Sequence, residues 1–453
     1  MNEQPTLKKE LGLAAALSTV MGTVIGAGVF FKASSVYAAT GNEGLGLLAW
    51  LLGGIITLCA GLTGAELAAA IPATGGMLTY IEHTYGKVAS HLLGWAQTII
   101  YYPANVAALA IIFGTQCCNL FGLSERWVVA IGAVAALTVT FLNCLGSKVG
   151  GAVQTVSTIF KLIPLALIVI FGLFQSNPNT MSLFPMTPNH GNENMMQALG
   201  SGLLATMFAY DGWISVGNIA GEMKNPEKDL PKAISFGLIG IMIVYVLINV
   251  AFLMTLSIGH IAGNENAASD VAMRLFGPLG GKLVTIGILI SVYGAINGYT
   301  ITGMRIPYIM AVENRLPFSK VWKKLSPKTS VPVNSGILIL VIAIIYMMSG
   351  KFDMLTDMLI FVIWIFYTMT FMAVMILRKR EPDLKRPYRV PGYPVVPIIA
   401  VLGGIFIIVN TAITQFKLAA LGVIITLLGL VFYKRDHGPD LAEIESEENK
   451  TEK

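Results

Sequence analysis

Two charged side chains lie inside long apolar stretches of this chain, each close to residues that weaken a helix. Lys161 stands in VSTIFKLIP (156–164), and Asp211 stands in FAYDGWISVG (208–217). A charge within a membrane-length apolar segment is costly and by default marks a functional site. An ammonium can donate to backbone carbonyls, and a carboxylate can accept from local N–H groups. For Lys161 an alternative stays open, because its long side chain could snorkel toward a membrane surface.

A glycine-rich stretch, GTVIGAGVF (22–30), interrupts the first apolar segment. Three glycines within seven residues disfavour a continuous helix. Backbone opened at membrane depth is tolerated only inside protein or beside a wet cavity. The half-helix that starts near Ala27 and Gly28 would favour an anion, and the carbonyl end before it would favour a cation. The alternative is simple helix packing, because Gly22 and Gly26 form a small-xxx-small pattern.

A second interruption follows Phe208 and Ala209, where Gly212 and Gly217 flank Asp211. The carbonyls near Phe208 and Ala209 form another pole for a cation. Paired interruptions in corresponding helices of two halves indicate an inverted repeat with its binding site at the breaks.

An anion pole beside a cation pole fits a zwitterion, and an α-amino acid is the simplest one. Gly26 and Gly28 would leave no side chain over the carboxylate. Phe208 is placed to cover such a ligand. Four tyrosines either line a cavity or serve packing and interfacial belts: Tyr101, Tyr102, Tyr245 and Tyr293.

Composition indicates the elements that hold these residues. Of 453 residues, 55% are hydrophobic and 12% are charged, with a mean hydropathy of +0.71. Soluble domains carry about 25% charged residues, so the sequence predicts an all-α polytopic membrane protein embedded in a lipid bilayer. Segments of about 20 apolar residues suffice to span it. Twelve are predicted: 11–37, 44–71, 90–118, 127–144, 150–174, 197–221, 231–256, 279–312, 333–349, 355–377, 394–412 and 416–433.

The predicted spans divide the chain into two sets of five, followed by two further helices. Most lysines and arginines fall on the side of the N-terminus, which predicts cytoplasmic termini in the cell membrane. The opposite side holds only Arg126, Arg274, Lys282, Lys351 and Lys417. The predicted parts are a cytoplasmic N-terminus (1–10), a first repeat (11–174), a second, inverted repeat (197–377), helices 11 and 12 (394–433) and a disordered cytoplasmic tail (434–453).

Several classes of function are excluded by what the spans do not contain. The four cysteines and five histidines have no metal-ligand spacing, so no metal or cofactor is expected. No span contains His-x-x-x-His, Gly-x-Ser-x-Gly or Cys-x-x-Cys, which argues against an intramembrane enzyme. The net charge of +5 reflects membrane orientation and does not predict nucleic-acid binding.

These motifs resemble a known family. The stretch 22–30, the segment FAYDGW (208–213) and GEMKNP (221–226) are similar to the L-type amino acid transporter branch of the amino acid–polyamine–organocation superfamily. Within it, the chain most resembles bacterial serine/threonine exchangers and alanine-serine-cysteine exchangers. The resemblance covers about residues 7–435.

The resemblance implies a LeuT-like fold with a 5+5 inverted repeat and helices 1 and 6 unwound at mid-membrane. It implies sodium-independent exchange of neutral L-amino acids. The substrate carboxylate would bind the amides of Gly26, Ala27 and Gly28. The substrate amino group would bind the carbonyls of Ile25, Phe208 and Ala209. Phe208 would act as a gating aromatic, and we expect Tyr245 to contribute to gating as well. The ammonium of Lys161 would stand where sodium-coupled relatives bind a cation.

Some features narrow the expectation or leave it open. Some relatives with large neutral substrates have glycine where this chain has Asp211, so we expect substrates with small side chains such as Ser, Thr, Ala or Cys. The loop 119–126 has no cysteine for a partner glycoprotein, so no obligatory partner subunit is expected. The alternative is a proton-coupled symporter or a polyamine transporter of the same fold, with Glu66 and Asp211 as the acidic groups. Arg305 is expected to be structural.

Overall fold

The computed structural model of the protein describes residues 12–71, 76–188, 194–214 and 224–433. These residues form helices and connecting segments, with no β-strand among them. A π-helical turn, Gln97–Tyr101, connects the helix Lys87–Ala96 to the helix Tyr102–Phe121. The helices are α1 (Leu13–Val24), α2 (Gly28–Thr40), α3 (Glu43–Ala70), α4 (Met77–Tyr85), α5 (Lys87–Ala96), α6 (Tyr102–Phe121), α7 (Val128–Cys144), α8 (Ser147–Leu173), α9 (Met195–Ala209), α10 (Pro226–Thr255), α11 (Ile258–Ile261), α12 (Ala267–Gly303), α13 (Arg305–Val312), α14 (Ser319–Trp322), α15 (Val333–Met347), α16 (Phe352–Arg380), α17 (Val395–Thr414) and α18 (Phe416–Leu428).

Eight helical segments of the described chain are long and apolar enough to cross a bilayer. Their lengths of 20 to 46 residues meet or exceed the roughly 20 residues that a 30 Å hydrocarbon core requires. Shorter apolar helices occupy three further predicted spans, at Met195–Ala209, Val333–Met347 and Phe416–Phe432. The predicted all-helical, polytopic architecture is therefore confirmed, and the exact number of crossings stays a prediction.

The chain is divided at both predicted interruptions. The first predicted span, 11–37, consists of α1 and α2, because Ile25 leaves the helical region with φ −70° and ψ 93°. In the second, α9 ends at Ala209, and Gly212 has φ 104°, a conformation that favours glycine. The part of predicted span 6 from 215 to 221, including Gly217, lies outside the described residues.

The predicted start of span 8, at residue 279, coincides with a break within α12. A first helical part of α12 runs from Ala267 to this break, and the part after the break corresponds to the predicted span 279–312. Gly277 interrupts the helix with φ 71°, directly before Pro278. Because proline removes an N–H donor and restricts the residue before it, a bend arises at this point and the helix continues on both sides.

The two interruptions pack against each other within the helix bundle. Helix α2 lies along α9, α1 lies along α10, and α3 crosses both α9 and α10. Helix α16 contacts α3, α6, α9 and α17, so it runs through the middle of the assembly. This packing places both interruptions in the interior and away from lipid.

Glu66 of α3 joins the end of α16 in a buried ion pair. Its carboxylate accepts from Arg378 Nε at 2.8 Å and Nη2 at 2.6 Å. The backbone N–H of Val390 donates to it at 2.7 Å, and Arg386 Nε lies 3.6 Å away. Glu66 is therefore a structural partner of the loop after α16 and is fully engaged by positive and N–H groups.

We predict that Glu66→Ala lowers the thermal unfolding midpoint of the purified protein markedly. Removing one partner of a buried pair costs about 3–5 kcal/mol, because the other charge is left uncompensated. The control is Glu381→Ala, which removes a partly exposed carboxylate bound to His83 and Arg380. An exposed pair contributes ~0–1 kcal/mol, so equal shifts for the two variants would contradict the prediction.

Candidate binding site at the two helix interruptions

A cavity of about 200 Å³ lies where the two interruptions meet. Pockets for drug-sized ligands typically measure about 300–1,000 Å³, so this cavity suits a smaller solute. Its wall includes the first interruption (Gly22 and Val24–Gly28), Phe208 and Asp211 of the second, and Lys161 of α8. Most of the predicted site residues are thus brought together by the fold. Tyr245 and Ala209 are not part of the wall.

The start of α2 presents backbone amides to this cavity. Ala27 is the N-cap residue and makes no side-chain cap hydrogen bond. Its carbonyl accepts from the N–H groups of Phe30 at 3.0 Å and Phe31 at 3.2 Å. The amides that precede Phe30 cannot find partners within their own helix. With the helix dipole they make a position suited to an anion.

The end of α1 has the opposite character, and its carbonyls are met by groups from three sources. The Met21 carbonyl accepts from the Ile25 N–H at 3.0 Å. The Gly22 carbonyl accepts from Lys161 Nζ, and the Val24 carbonyl accepts from the Tyr245 hydroxyl at 2.9 Å. Lys161 is only 4% exposed, so it points into the interruption and does not snorkel.

Tyr245 of α10 links the two interruptions directly. Its hydroxyl lies 2.9 Å from the Val24 carbonyl and 3.0 Å from the Ala209 carbonyl. Its fully buried ring packs against Trp50 and Tyr210. The Ala209 carbonyl, predicted to bind a ligand amino group, is therefore already hydrogen-bonded to the protein. The predicted carbonyls of Ile25 and Phe208 lie on residues that line the cavity.

The two predicted glycines have different surroundings. A Cβ atom on Gly28 would lie 2.5 Å from Ala209 Cα, so glycine is needed there for α2 to touch α9. A Cβ atom on Gly26 would meet nothing closer than 3.8 Å. Gly28 is therefore required by helix packing, whereas Gly26 leaves room beside the cavity.

Asp211 accepts hydrogen bonds from tyrosines on three different helices. The hydroxyl of Tyr101 donates to Oδ2, that of Tyr367 to Oδ1 at 2.9 Å, and that of Tyr299 to Oδ2 at 3.4 Å. Asp211 is 3% exposed. Sequence reasoning singled out Tyr101 but missed Tyr299 and Tyr367, since nothing in their spacing connects them with Asp211.

A second cluster that sequence reasoning missed covers Phe208. The Phe208 ring packs edge-on against Phe352 with 5.6 Å between centroids. Fully buried Lys32 lies over both rings and pairs with Asp353 at 2.8 Å and Asp357 at 3.5 Å. The sequence contains residues that indicate this cluster: Lys32 lies in the first predicted span, and Asp353 and Asp357 lie four residues apart in α16.

The other residues singled out from sequence lie in various places. Tyr102 lines the cavity, while Tyr293 borders a separate, apolar depression and bonds to Thr138 at 3.1 Å. Arg305 donates to the Ile301 carbonyl at 2.5 Å. Across the described ranges, no group of three His, Cys, Asp or Glu side chains could hold a metal ion.

Comparison with known proteins supplies the family. The family model "Amino acid permease" matches residues 11–433. The chain is 43% identical to the serine/threonine exchanger SteT of Bacillus subtilis (strain 168), covering 95% of this chain and 97% of that protein. It is 30% identical to the mouse b(0,+)-type amino acid transporter 1, with 94% and 88% covered. It is 29% identical to the human large neutral amino acids transporter small subunit 2, with 94% and 80% covered.

We predict that Gly28→Ala destabilises the protein and that Gly26→Ala does not. The methyl group on Gly28 would press on the backbone of Ala209, and such overpacking costs about 1–3 kcal/mol. Thermal unfolding midpoints of both variants in the same detergent would measure the difference. Equal midpoints would contradict the close contact between α2 and α9.

Proposed function

Because the chain belongs to the amino acid permease family, we propose that it is a sodium-independent exchanger of small neutral L-amino acids. The observation that carries this proposal is one small cavity bordered by free helix-start amides and by helix-end carbonyls. Alternating exposure of that cavity to the two sides would move the ligand. This family consists of transporters, in agreement with the expectation that the chain is not an enzyme.

We assign the two ends of the zwitterion to opposite sides of the first interruption. The carboxylate would bind the amides of Gly26, Ala27 and Gly28, where the dipole of α2 favours negative charge. The amino group would donate to the carbonyls of Ile25, Phe208 and Ala209. The Phe208 carbonyl also accepts from the Asp211 N–H at 3.4 Å and the Ala209 carbonyl from the Tyr245 hydroxyl at 3.0 Å, and each oxygen has a second lone pair for the ligand. The cavity volume of about 200 Å³ supports side chains of the Ser, Thr, Ala or Cys type.

Lys161 supports sodium independence in this proposal. Its ammonium is held at the Gly22 carbonyl, at the end of α1 where a bound cation would otherwise be favoured. A fixed positive charge that is part of the protein needs no ion from solution. Charge-assisted hydrogen bonds of this kind are about twice as strong as neutral ones.

Two observations count against the proton-coupled and polyamine alternatives. Glu66 is bound to Arg378 and the Val390 N–H, away from the cavity. Asp211 is the one carboxylate among the described residues that line the cavity, and three tyrosine hydroxyls surround it. A polycation would want more than one free acidic group.

The packing also supports a 5+5 inverted repeat. Contacts between the two halves recur when corresponding helices are exchanged, with α8 corresponding to α16 and α12 to α6: α8 lies on α12 as α16 lies on α6. Helix α1 lies on α10 as α9 lies on α3. We infer twelve crossings, with helices 1 and 6 unwound within the membrane. The distribution of lysine and arginine further supports cytoplasmic termini in the cell membrane.

We also propose that the chain works without a partner subunit. Cys117 and Cys118, the cysteines nearest the loop 119–126, are buried at 8% and 4% exposure. Neither sulfur is presented for a disulfide with another chain. A chain that transports amino acids after purification as a single component would support this.

Counterflow in proteoliposomes tests the proposed function. Vesicles loaded with unlabelled L-serine should take up radiolabelled L-serine without sodium and without a pH gradient, and empty vesicles should not. Uptake into empty vesicles driven only by an inward proton gradient would overturn exchange in favour of symport. Failure of serine, threonine, alanine and cysteine alike would overturn the substrate class.

We predict that Lys161→Ala lowers the rate of counterflow at least about tenfold, while the protein still inserts and folds. The substitution removes the positive charge and also the charge-assisted hydrogen bond to the Gly22 carbonyl, which holds the end of α1. Lys148→Ala, at an exposed position of the same helix, is the control. Counterflow by Lys161→Ala equal to that of Lys148→Ala would refute the role of Lys161.

A further inference from the structure

The described wall of the cavity contains two charged groups, the ammonium of Lys161 and the carboxylate of Asp211. The ammonium is bound to the Gly22 carbonyl, and Asp211 is 3% exposed. A buried charge is stable only while it is paired or hydrogen-bonded. A carboxylate on the wall of a binding cavity is a natural partner for a cationic ligand group, so the selectivity of this cavity depends on what covers Asp211.

Three tyrosines cover Asp211. Tyr101 of the π-helical turn, Tyr299 of α12 and Tyr367 of α16 all line the cavity. Each also donates its hydroxyl to the carboxylate, two of them to Oδ2 and Tyr367 to Oδ1. Each side chain therefore bridges the cavity and the carboxylate. Three of the roughly four lone-pair positions of the carboxylate are occupied in this way, so a cationic ligand group would have to displace a tyrosine.

Tyr299 is held less firmly than the tyrosine on α16. Its hydroxyl lies 3.4 Å from Asp211 Oδ2, whereas the hydroxyl of Tyr367 lies 2.9 Å from Oδ1. Tyr101 and Tyr367 are 5% and 1% exposed, whereas Tyr299 is partly exposed. The ring of Tyr367 also packs against three further aromatic rings. Removal of the Tyr299 ring would therefore extend the cavity to Oδ2 and leave Asp211 held by two tyrosines.

We propose that Tyr299 is a specificity-determining residue that covers Asp211 and thereby excludes amino acids with cationic side chains. This inference rests on the proposed function and deepens it, because it names the class of side chain that the site rejects and the residue that rejects it. With Tyr299 in place, a cationic side chain leaves water without reaching a free acceptor, which is costly. With a small residue at position 299, the same side chain reaches Oδ2 and forms a charge-assisted hydrogen bond. Specificity of this kind comes from an obstacle to the wrong ligand.

The test uses pairs of ligands that match in size and differ in charge. Inhibition of serine counterflow at pH 7 is measured with L-2,4-diaminobutyrate against L-norvaline and with L-ornithine against L-norleucine. In wild-type protein the cationic member of each pair should inhibit no better than its neutral partner. In Tyr299→Ser the cationic member should become the better inhibitor, by about tenfold, because it gains a hydrogen bond to a charged group. A wild-type preference for the cationic members, or none in Tyr299→Ser, would overturn the inference.

Two further variants separate the effect of charge from the effect of space. Tyr102 lines the same cavity, but its hydroxyl is not among the three described donors to Asp211, so Tyr102→Ser is the matched control for a larger cavity. Addition of Asp211→Asn to Tyr299→Ser keeps the space and removes the negative charge. We expect neither variant to prefer the cationic member of a pair. An equal preference in Tyr102→Ser, or a preference that persists in the double variant, would overturn the assignment.

The outcomes separate the inference from the function on which it rests. If wild-type protein shows no serine counterflow at all, the proposed exchange fails. If counterflow is robust in wild type and in Tyr299→Ser but the variant gains no preference for cationic ligands, exchange stands and the role of Tyr299 fails. Thermal unfolding checks that each variant folds, and Tyr299→Thr supplies a second small residue if Tyr299→Ser does not fold.

Discussion

The structure depends on how the backbone opened between α1 and α2 is satisfied. Unpaired carbonyls and amides inside an apolar bundle are costly, so each must meet a partner or a ligand. The protein provides partners on the carbonyl side, with Lys161 at Gly22 and Tyr245 at Val24. It provides no side-chain cap at Ala27 on the amide side. This asymmetry makes the amide end, by its dipole and unpaired N–H groups, the end suited to a negative charge.

The cluster that covers Phe208, a residue of the cavity wall, is held together by a different kind of interaction, the pairing of a buried lysine with carboxylates and aromatic rings. Lys32 has no exposure, yet it is matched by two carboxylates of α16 and by the rings of Phe208 and Phe352. Burying a charge in this way is tolerable only while the partners stay close. In water the same groups would be hydrated separately. Separation of α2 from α16 therefore exchanges ion pairing for hydration, a balance that salt concentration and solvent access can shift.

Sequence reasoning reached those features in which one residue contradicts its surroundings. Glycines in an apolar run, Lys161 and Asp211 could all be recognised because each is unfavourable in a plain membrane helix. Features that form only where side chains from several helices meet could not be predicted from the sequence. Tyr299 and Tyr367 reach Asp211 from separate helices, so no spacing reveals them. The snorkelling alternative for Lys161 likewise depended on where α1 lies relative to α8, which packing alone determines.

The start of α2 touches the end of α9 at Gly28 and Ala209, and Tyr245 bonds to the Val24 carbonyl of the first interruption and to the Ala209 carbonyl of the second. The end of α1, the start of α2 and the end of α9 are therefore held together, because moving one of them alone would cause a clash or break a hydrogen bond. A rearrangement that opens the cavity must carry all three together against the surrounding helices. Under the proposed exchange, the amide end and the carbonyl ends beside the cavity would then move together and keep their spacing.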